Sequence, residues 1–533
     1  MKCYKQEWLP HLKNAIPPEA KRNRISLYTI ALEGYRRGLN LKFLNTVDEV
    51  GNNKLVYALS SGQTTHYFHE SSGDLNTEAA QIICDNKSIT YSYLQEANVP
   101  TPKGKTFTKQ DSIEKMIAYA EQLRYPLVVK PIDGSGGRGV FANIKNEQQL
   151  KHAISRNFNQ LKYESIIIQQ FIMGDEVRIY VLEDQVLSAT HRMPANVVGD
   201  GKQSIMQLIR EKNELRKDTP HLYHRPIKVD NEVKQFIQDQ NYTFDSVLKN
   251  NERVFLSKVS NISSGGDPVD ITNDLTETQK NIAIEATKSI PGLTHSGVDM
   301  IINHDTTESV VLEVNMKPGI GSHLFPIQGQ AVDIPKKIMD YYFPETIDWP
   351  RNTAIYFNLQ TVFDAFSDGM LTEIDVTPPP SFPLKTMVLD LITPLGLEDT
   401  YEKIIKYIKE NRIHGNIYQE QVNKISIVAA HEKSEALVEL VRFLKERKGY
   451  FQIEHIKKDV YDKPVKVGFE ILGQRQSMGS PELEAEYKQI IKNNKQSKKE
   501  IQRLEKKINQ MLDSTSWRIT TPLRAIIKKI KRK

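Results

Sequence analysis

The sequence predicts a mixed α+β / α/β chain of about three domains. Three observations carry that reading. The chain has 533 residues, enough to bury more than one core. Short apolar, strand-like runs alternate with segments whose apolar residues recur at helical spacing. From KTMVLDLITPLG to VGFEILG (385–473) the elements follow the order β-α-β-β-α-β, a split βαβ arrangement of ferredoxin-like type.

Residues 1–23 are polar and proline-containing, an expected extended lead-in. Residues 24–100 combine a helix-like stretch (SLYTIALEGYRRGLNLKFL) with a strand-like one (KLVYALSS), predicting a small α/β domain. In TEAAQIICDNKSITYSYLQEANVP, Lys87 stands before a helix, and PTPKG marks a boundary through its prolines. Residues 101–345 are the expected core, within which 195–250 reads as charged and loop-rich. A linker is expected over 346–384, the split βαβ domain over 385–475, and a charged helical tail over 476–533.

The chemistry concentrates in the core. GVDMIIN and SVVLEVN read as buried strands around a turn. Glu313 and Asn315, two residues apart, share a strand face, and Asp299 can meet them from the preceding strand. Hard oxygen ligands converging in this way suit Mg2+; the alternative is a hairpin carrying three solvated polar residues. Upstream, LVVKPIDGSGGRGV ends an apolar strand in Lys130 and continues into a loop with Gly134, Ser135, Gly136, Gly137 and Gly139. Glycines admit phosphate oxygens close to backbone N–H groups, and a lysine adds a point charge. The loop is not a Walker A motif, and alone it could be a surface turn. In ESIIIQQFIMGDEVRIYVL, a strand edge beside a short turn can offer its backbone to adenine, and an acidic side chain can take ribose hydroxyls.

These stretches, with HRMPANVVGDGKQSIMQLI and SNISSGGDPVDITN, resemble the ATP-grasp superfamily of carboxylate–amine ligases over roughly residues 50–345. The likeness is strongest to the ATP-grasp region of cyanophycin synthetase and more distant to D-alanine–D-alanine ligase and glutathione synthetase. The resemblance implies an ATP-grasp fold of two α+β lobes with ATP between them. It implies that Lys87 and Lys130 hold the ATP phosphates under the Gly134–Gly139 loop. Gln169, Gln170, Phe171 and Ile172 would form the adenine linker, with Glu176 on the ribose. Asp299, Glu313 and Asn315 would carry two Mg2+ ions, with Mn2+ as a substitute. Arg192 and Lys258 match basic positions suited to the developing oxyanion, where an ordinary surface cation is the alternative. Ser263, Ser264, Gly265 and Gly266 offer hydroxyls and N–H groups to a carboxylate or phosphate, and His323 matches a family histidine near the substrate. The implied reaction phosphorylates a carboxylate and couples the acyl phosphate to an amine. Two departures stand out: Gly321 replaces the arginine that precedes the histidine by two positions in the cyanophycin-type pattern, and Lys317 replaces a small residue.

The 385–473 segment also resembles the acylphosphatase family, well over its second half and poorly over its first. Tyr401 lies near the place of that family's loop arginine, Glu398 and Asp399 sit where an anion would bind, and Gln419 falls at its catalytic asparagine. An inactive domain used for contacts is expected. The tail from Tyr487 to Lys533 holds 15 basic and 3 acidic residues, a net of +12, so the chain's overall +6 leaves about −6 elsewhere. Ile501, Leu504, Ile508 and Met511 follow 3-4-3 spacing, one short coiled-coil-like stripe, and the later Trp517, Leu523, Ile526, Ile527 and Ile530 among many cations suggest a helix lying on an anionic membrane surface, against a solvated tail as the alternative. Nucleic acid is not expected as a partner, for want of an aromatic platform. SWRITTPLR resembles tails of glycosyltransferases that build bacterial surface polysaccharides.

Two cysteines without a CxxC pair argue against a disulfide or zinc framework. No secretory leader or membrane span is read, so a cytoplasmic protein, peripheral on the inner face of the membrane and homo-oligomeric, is expected. The expected function is an ATP-dependent ligase acting on an amino-acid-decorated cell-surface polymer. The alternative is a non-catalytic nucleotide-binding scaffold of a surface-polysaccharide assembly system.

Overall fold

Alternation of apolar and polar residues along antiparallel strands decides which face of each sheet is buried, and this chain uses the device in four sheets. The computed structural model describes residues 6–472 except 48–50, 52, 133–137, 304–307, 382, 393–396, 422–423, 450 and 452. The Gly134–Gly137 part of the glycine-rich loop and the basic tail with its expected helices therefore lie outside the described residues.

The N-terminal unit packs the helix Ile25–Arg36 on an antiparallel sheet built from Asn40–Val47, Asn53–Ser60, Thr65–His69 and Ser72–Gly73. Every residue of that helix is buried. The stretch 1–23 is not the extended lead-in expected. Among its described residues it makes short 3-10 turns that bury Leu12, Ala15 and Ala20 in the same core, because each turn brings an apolar residue inward. Nor does 346–384 behave as a free linker. Glu373–Asp375 adds an edge strand to the N-terminal sheet, and Ile355, Phe357, Leu359 and Val362 fill its core. An ion cluster fastens the junction: Glu33, 2% exposed, accepts from Arg37 at 2.9 Å and from Arg351 at 2.7 Å, and Arg351 also reaches Asp333 at 3.0 Å.

The core comprises two sheets. The smaller is four-stranded, ordered Gly104–Thr108, Ser165–Gln170, Leu127–Pro131, Phe141–Ile144, with helices Ile113–Leu123 and Glu147–Ser155 against one face. The larger is five-stranded and antiparallel, ordered Asp267–Asp270, Gln185–Met193, Asp175–Leu182, His295–Ile302, Ser309–Asn315. Val177, Ile179, Val181, Ala189, Val298 and Met300 point to the side covered by helix Glu277–Lys288. The segment 195–250, expected to be loop-rich, instead carries helices Ile205–Asp218 and Asn231–Gln238 and a core of its own. Its signal was present: Ser204 and Gln207 form a capping box, a signature of a helix start.

The C-terminal sheet is ordered His455–Asp459, Lys385–Ile392, Lys424–His431, His414–Gln421, Phe469–Leu472, with helices Leu397–Glu410 and Ser434–Glu446. Its first four strands and two helices follow the β-α-β-β-α-β order. Ile355–Tyr356 pairs in parallel with Val465–Lys466, tying this domain to the N-terminal unit.

Removing one partner from a buried ion cluster strands the others' charge, which costs about 3–5 kcal/mol. Glu33→Ala is therefore expected to lower the urea unfolding midpoint substantially. An unchanged midpoint would show that the Glu33 cluster does not hold the N-terminal unit.

Candidate functional site

The face of the five-stranded sheet opposite its apolar core is polar in every central strand. Glu176, Arg178 and Tyr180 alternate along one strand. Ser188, Thr190 and Arg192 alternate along its neighbour, with Thr190 directly opposite Arg178. Asp299 lies across from both Arg178 and Glu313, and Asn315 opposes Gly297. The trio Asp299, Glu313 and Asn315 is thus brought to one surface by strand register, as its two-residue spacing requires.

Asp299 is 5% exposed, and a buried carboxylate needs partners. Arg178 supplies two, donating from Nε and one Nη at 2.7 Å each to the two carboxylate oxygens. Arg192 adds a third bond at 3.1 Å and pairs through its other Nη with Glu176. Burial alone would raise the Asp299 carboxyl, but the two guanidinium groups outweigh it and hold it below the ordinary range. Glu176 is pushed upward by its own burial, with Arg192 opposing. Arg178 was not singled out from the sequence. Its signal was the charged residue two positions after Glu176 in an otherwise apolar strand.

The two lysines arrive from different elements. Asn86 caps helix Lys87–Glu96 by accepting from the N–H groups of Ser88 and Ile89, which makes Lys87 its first residue. Lys87 Nζ stands 3.7 Å from Glu313. Lys130 leaves the small sheet on the face away from its helices, and its ammonium donates to Tyr91 Oη at 3.0 Å. Burial pulls Lys130 down to about 8, with Glu313 acting in the opposite sense. Tyr91, also missed from the sequence, joins the two sheets: its hydroxyl lies 3.0 Å from the Leu312 carbonyl and 3.5 Å from Gln169 Oε1. Gln169 is therefore buried and directed at Tyr91, while Gln170 at the strand end and Phe171 and Ile172 beyond it are partly accessible. Gly139 closes the glycine-rich loop, and its carbonyl accepts from Asn157 Nδ2 at 3.0 Å.

Three oxygen-bearing side chains on one face fit a hard divalent cation, which is held through one or two carboxylates and keeps several waters. The buried Nδ2 of Asn315 has no hydrogen-bond partner; as a donor it fits an acceptor such as a phosphate oxygen, and only its Oδ1 suits the cation. Among the described residues no cluster of three or more His, Cys, Asp and Glu side chains is arranged for a metal, so the amide is needed to complete the set.

The residues expected near the substrate have partners of their own. Ser263 Oγ donates to Asn261 Oδ1 at 2.7 Å and Ser264 Oγ to the Asn261 carbonyl at 3.1 Å. The Gly265 and Gly266 N–H groups bond back to Ile262 and Asn261. The run closes its own turn, leaving neither hydroxyl aimed at the carboxylates. Lys258 is exposed, and its ammonium lies 5.5 Å from the Phe236 ring centroid on the 195–256 subdomain. His323 does belong to the polar face. Its Nδ1 meets Ser188 Oγ at 2.8 Å and Thr190 Oγ1 at 3.0 Å, and its Nε2 is buried without a partner.

Gly321 has a physical explanation. A Cβ there would fall 2.3 Å from His221 Nδ1, so the His221 ring already occupies the space a side chain would need. His221 is 8% exposed, and its Nε2 lies 3.1 Å from Ser322 Oγ.

The arrangement is thus a pair of sheets with Lys87 and Lys130 beside the Asp299, Glu313 and Asn315 trio. Residues 84–320 are similar to the ATP-grasp domain. The chain is 30% identical over 329 residues to the glutathione biosynthesis bifunctional protein GshAB of Clostridium perfringens, covering 60% of this chain and 41% of that one. It is 32% identical over 273 residues to the cyanophycin synthetase of Crocosphaera subtropica, covering 50% and 31%. The bifunctional glutathione synthetase of Pasteurella multocida superposes with a TM-score of 0.44 at 28% identity, covering 54% and 41%. The chain thus spans well under half the length of these relatives.

Gly321→Ala is expected to cost about 1–3 kcal/mol through clashes with His221 at 2.3 Å and Ile25 Cγ2 at 2.9 Å, and a His221→Ala background should relieve the larger part of it. A double-mutant cycle by chemical denaturation reads the coupling, and additive losses would contradict it. Acid should also weaken the fold. Burial holds His295 down at about 4, and burial with Arg178 and Arg192 holds His323 at about 3. These folded-state values lie below the unfolded value of about 6.5. Their stabilisation is therefore complete above that pH and is lost as pH falls toward 3–4, at up to about 1.4 kcal/mol per pH unit per group. Urea midpoints at pH 7 and 4.5 should differ accordingly, and replacing both histidines by glutamine should flatten the slope.

Proposed function

We propose that this chain is an ATP-dependent ligase that activates a carboxylate as an acyl phosphate and couples it to an amine to form an amide. The observation that carries the reading is the convergence of Asp299, Glu313 and Asn315 with Lys87, Lys130, Arg178 and Arg192. In this reading Asp299, Glu313 and Asn315 would hold Mg2+, which would supply charge neutralisation to the phosphates. Lys87 and Lys130 grip the phosphates from the opposite side, and Tyr91 keeps the Lys130 ammonium oriented. Gln170, Phe171 and Ile172 border the adenine, and Glu176 takes the ribose. Arg178 and Arg192 present N–H donors beside Asp299, where negative charge develops on the acyl group, and such preplaced donors are worth several kcal/mol in a site shielded from water.

The acceptor is assigned to the side lined by His323, His221 and the Asn261–Gly266 turn. A cell-surface polymer precursor is the proposed amine or acid component, supported by the +12 tail and its SWRITTPLR phrase. That tail would bring the enzyme to the inner face of the membrane; no helix among the described residues is long and apolar enough to cross it. The 385–472 domain is assigned a contact role.

ADP release with candidate carboxylates and amines tests the reading. Asp299→Asn and Glu313→Gln should each lower turnover by more than about 100-fold, since each removes charge stabilisation in the transition state, with circular dichroism unaltered. Turnover unchanged in both variants would refute the assignment. Deleting 487–533 should move the protein from membrane to soluble fractions, and an unaltered distribution would remove the membrane proposal alone.

A further inference from the structure

An irregular turn beside the four-stranded sheet places one fully buried amide under the end of the glycine-rich loop. Helix Glu147–Ser155 continues into a π turn, Arg156–Gln160, closed by the Leu161 N–H on the Arg156 carbonyl at 2.9 Å. Such turns take in one residue more than an α-helix does and are frequent at functional sites. Here the turn carries Asn157, 0% exposed, against Gly139. Its Nδ2 donates to the Gly139 carbonyl at 3.0 Å and to the Ala153 carbonyl at 3.1 Å. Both partners are acceptors, so the orientation of the amide is fixed, and its Oδ1 is left buried without a partner.

Gly139 makes the close fit possible. Its φ of +81° is a left-handed conformation that glycine adopts at no steric cost. A Cβ there would fall 2.5 Å from Asn157 Oδ1, 3.0 Å from the Tyr163 ring and 3.2 Å from the Pro131 ring. Tyr163 is itself held by the turn, its N–H donating to the Asn157 carbonyl at 3.1 Å. Pro131 follows Lys130 at the end of the strand Leu127–Pro131, and Val129 of that strand pairs with Phe141, two residues after Gly139. The two flanks of the loop thus come together beside one side chain. A buried acceptor without a donor is costly, and such a breach of local rules is expected where an arrangement serves function.

We propose that Asn157 is a positioning residue for the nucleotide phosphates. Holding the Gly139 carbonyl fixes where the glycine-rich loop rejoins the sheet, and the packing of Gly139 on Pro131 fixes the strand end that carries Lys130. Asn157 makes no hydrogen bond to Gln170, Phe171, Ile172 or Glu176, so contacts to adenine and ribose are independent of it. The inference rests on the ligase reading for the nucleotide, whereas the clamp itself is read from the contacts.

Calorimetric titration of the full chain with adenylyl imidodiphosphate and Mg2+, and separately with AMP, tests the clamp. The two nucleotides share adenine, ribose and one phosphate, so the ratio of their affinities isolates the terminal phosphates and is independent of how much of a variant is folded. Asn157→Leu keeps the side-chain volume and removes the amide, while Gly139→Ala drives a methyl group into Asn157 Oδ1. Each should lower the preference for the triphosphate analogue by about tenfold, the loss expected when one hydrogen bond to a charged group is misplaced, with AMP affinity unchanged. Gly139 is partly exposed, so its variant keeps the test decisive should Asn157→Leu fail to fold. An unaltered ratio, or an equal loss of both nucleotides, overturns the proposal and leaves the ligase reading standing. Failure of wild type to bind the triphosphate analogue would instead refute the ligase reading, and this inference with it.

Discussion

A buried carboxylate is tolerable only when its charge is met on the spot, and Asp299 sets that condition for the whole candidate site. Both its oxygens are taken by Arg178, and one is shared with Arg192. That demand places an arginine directly opposite on one adjoining strand and a second arginine two strands away. It then calls for Glu176 to balance Arg192. The result is a sheet face that holds an extended charge network while its reverse packs mainly apolar residues under helix Glu277–Lys288. Period-two alternation makes both possible from the same strands.

Much of this was legible because it is local. Glu313 and Asn315 share a face by spacing alone, and Lys130 at the end of an apolar strand is plain in LVVKP. The helical start at Lys87 follows from Asn86 as a cap. What sequence could not place were contacts made across long separations. Tyr91 reads as one more residue on a helix, yet its hydroxyl joins Lys130 to the Leu312 carbonyl. His221 lies 100 residues from Gly321 and explains that glycine only once the two are superimposed in space. Ser263 and Ser264 misled in the opposite direction. Their hydroxyls looked available, but Asn261, two and three residues upstream, claims both.

The Asn261–Gly266 turn is organised by a second buried network. Asp267 receives Lys212, Arg216 and Asn196, and Arg216 also donates to the carbonyls of Gly266, Ile262 and Arg225. Helix Ile205–Asp218 thereby grips the Asn261–Gly266 turn and the edge strand of the large sheet together. A segment that reads as a charged insertion is a bracket: Lys212 and Arg216 face inward and meet Asp267, while Arg210, Glu214 and Lys217 stay exposed.

The pairing of Ile355–Tyr356 with Val465–Lys466 has a further meaning. Val467, from the C-terminal domain, is buried in the same core as Tyr28 and Phe357, so the last domain completes the first one's interior. Evolution could not have exchanged the 385–472 module as a detachable cassette without leaving a hole beside the N-terminal helix. The two ends of the described fold are obliged to change in step, and a designer grafting a new C-terminal module must supply a substitute plug.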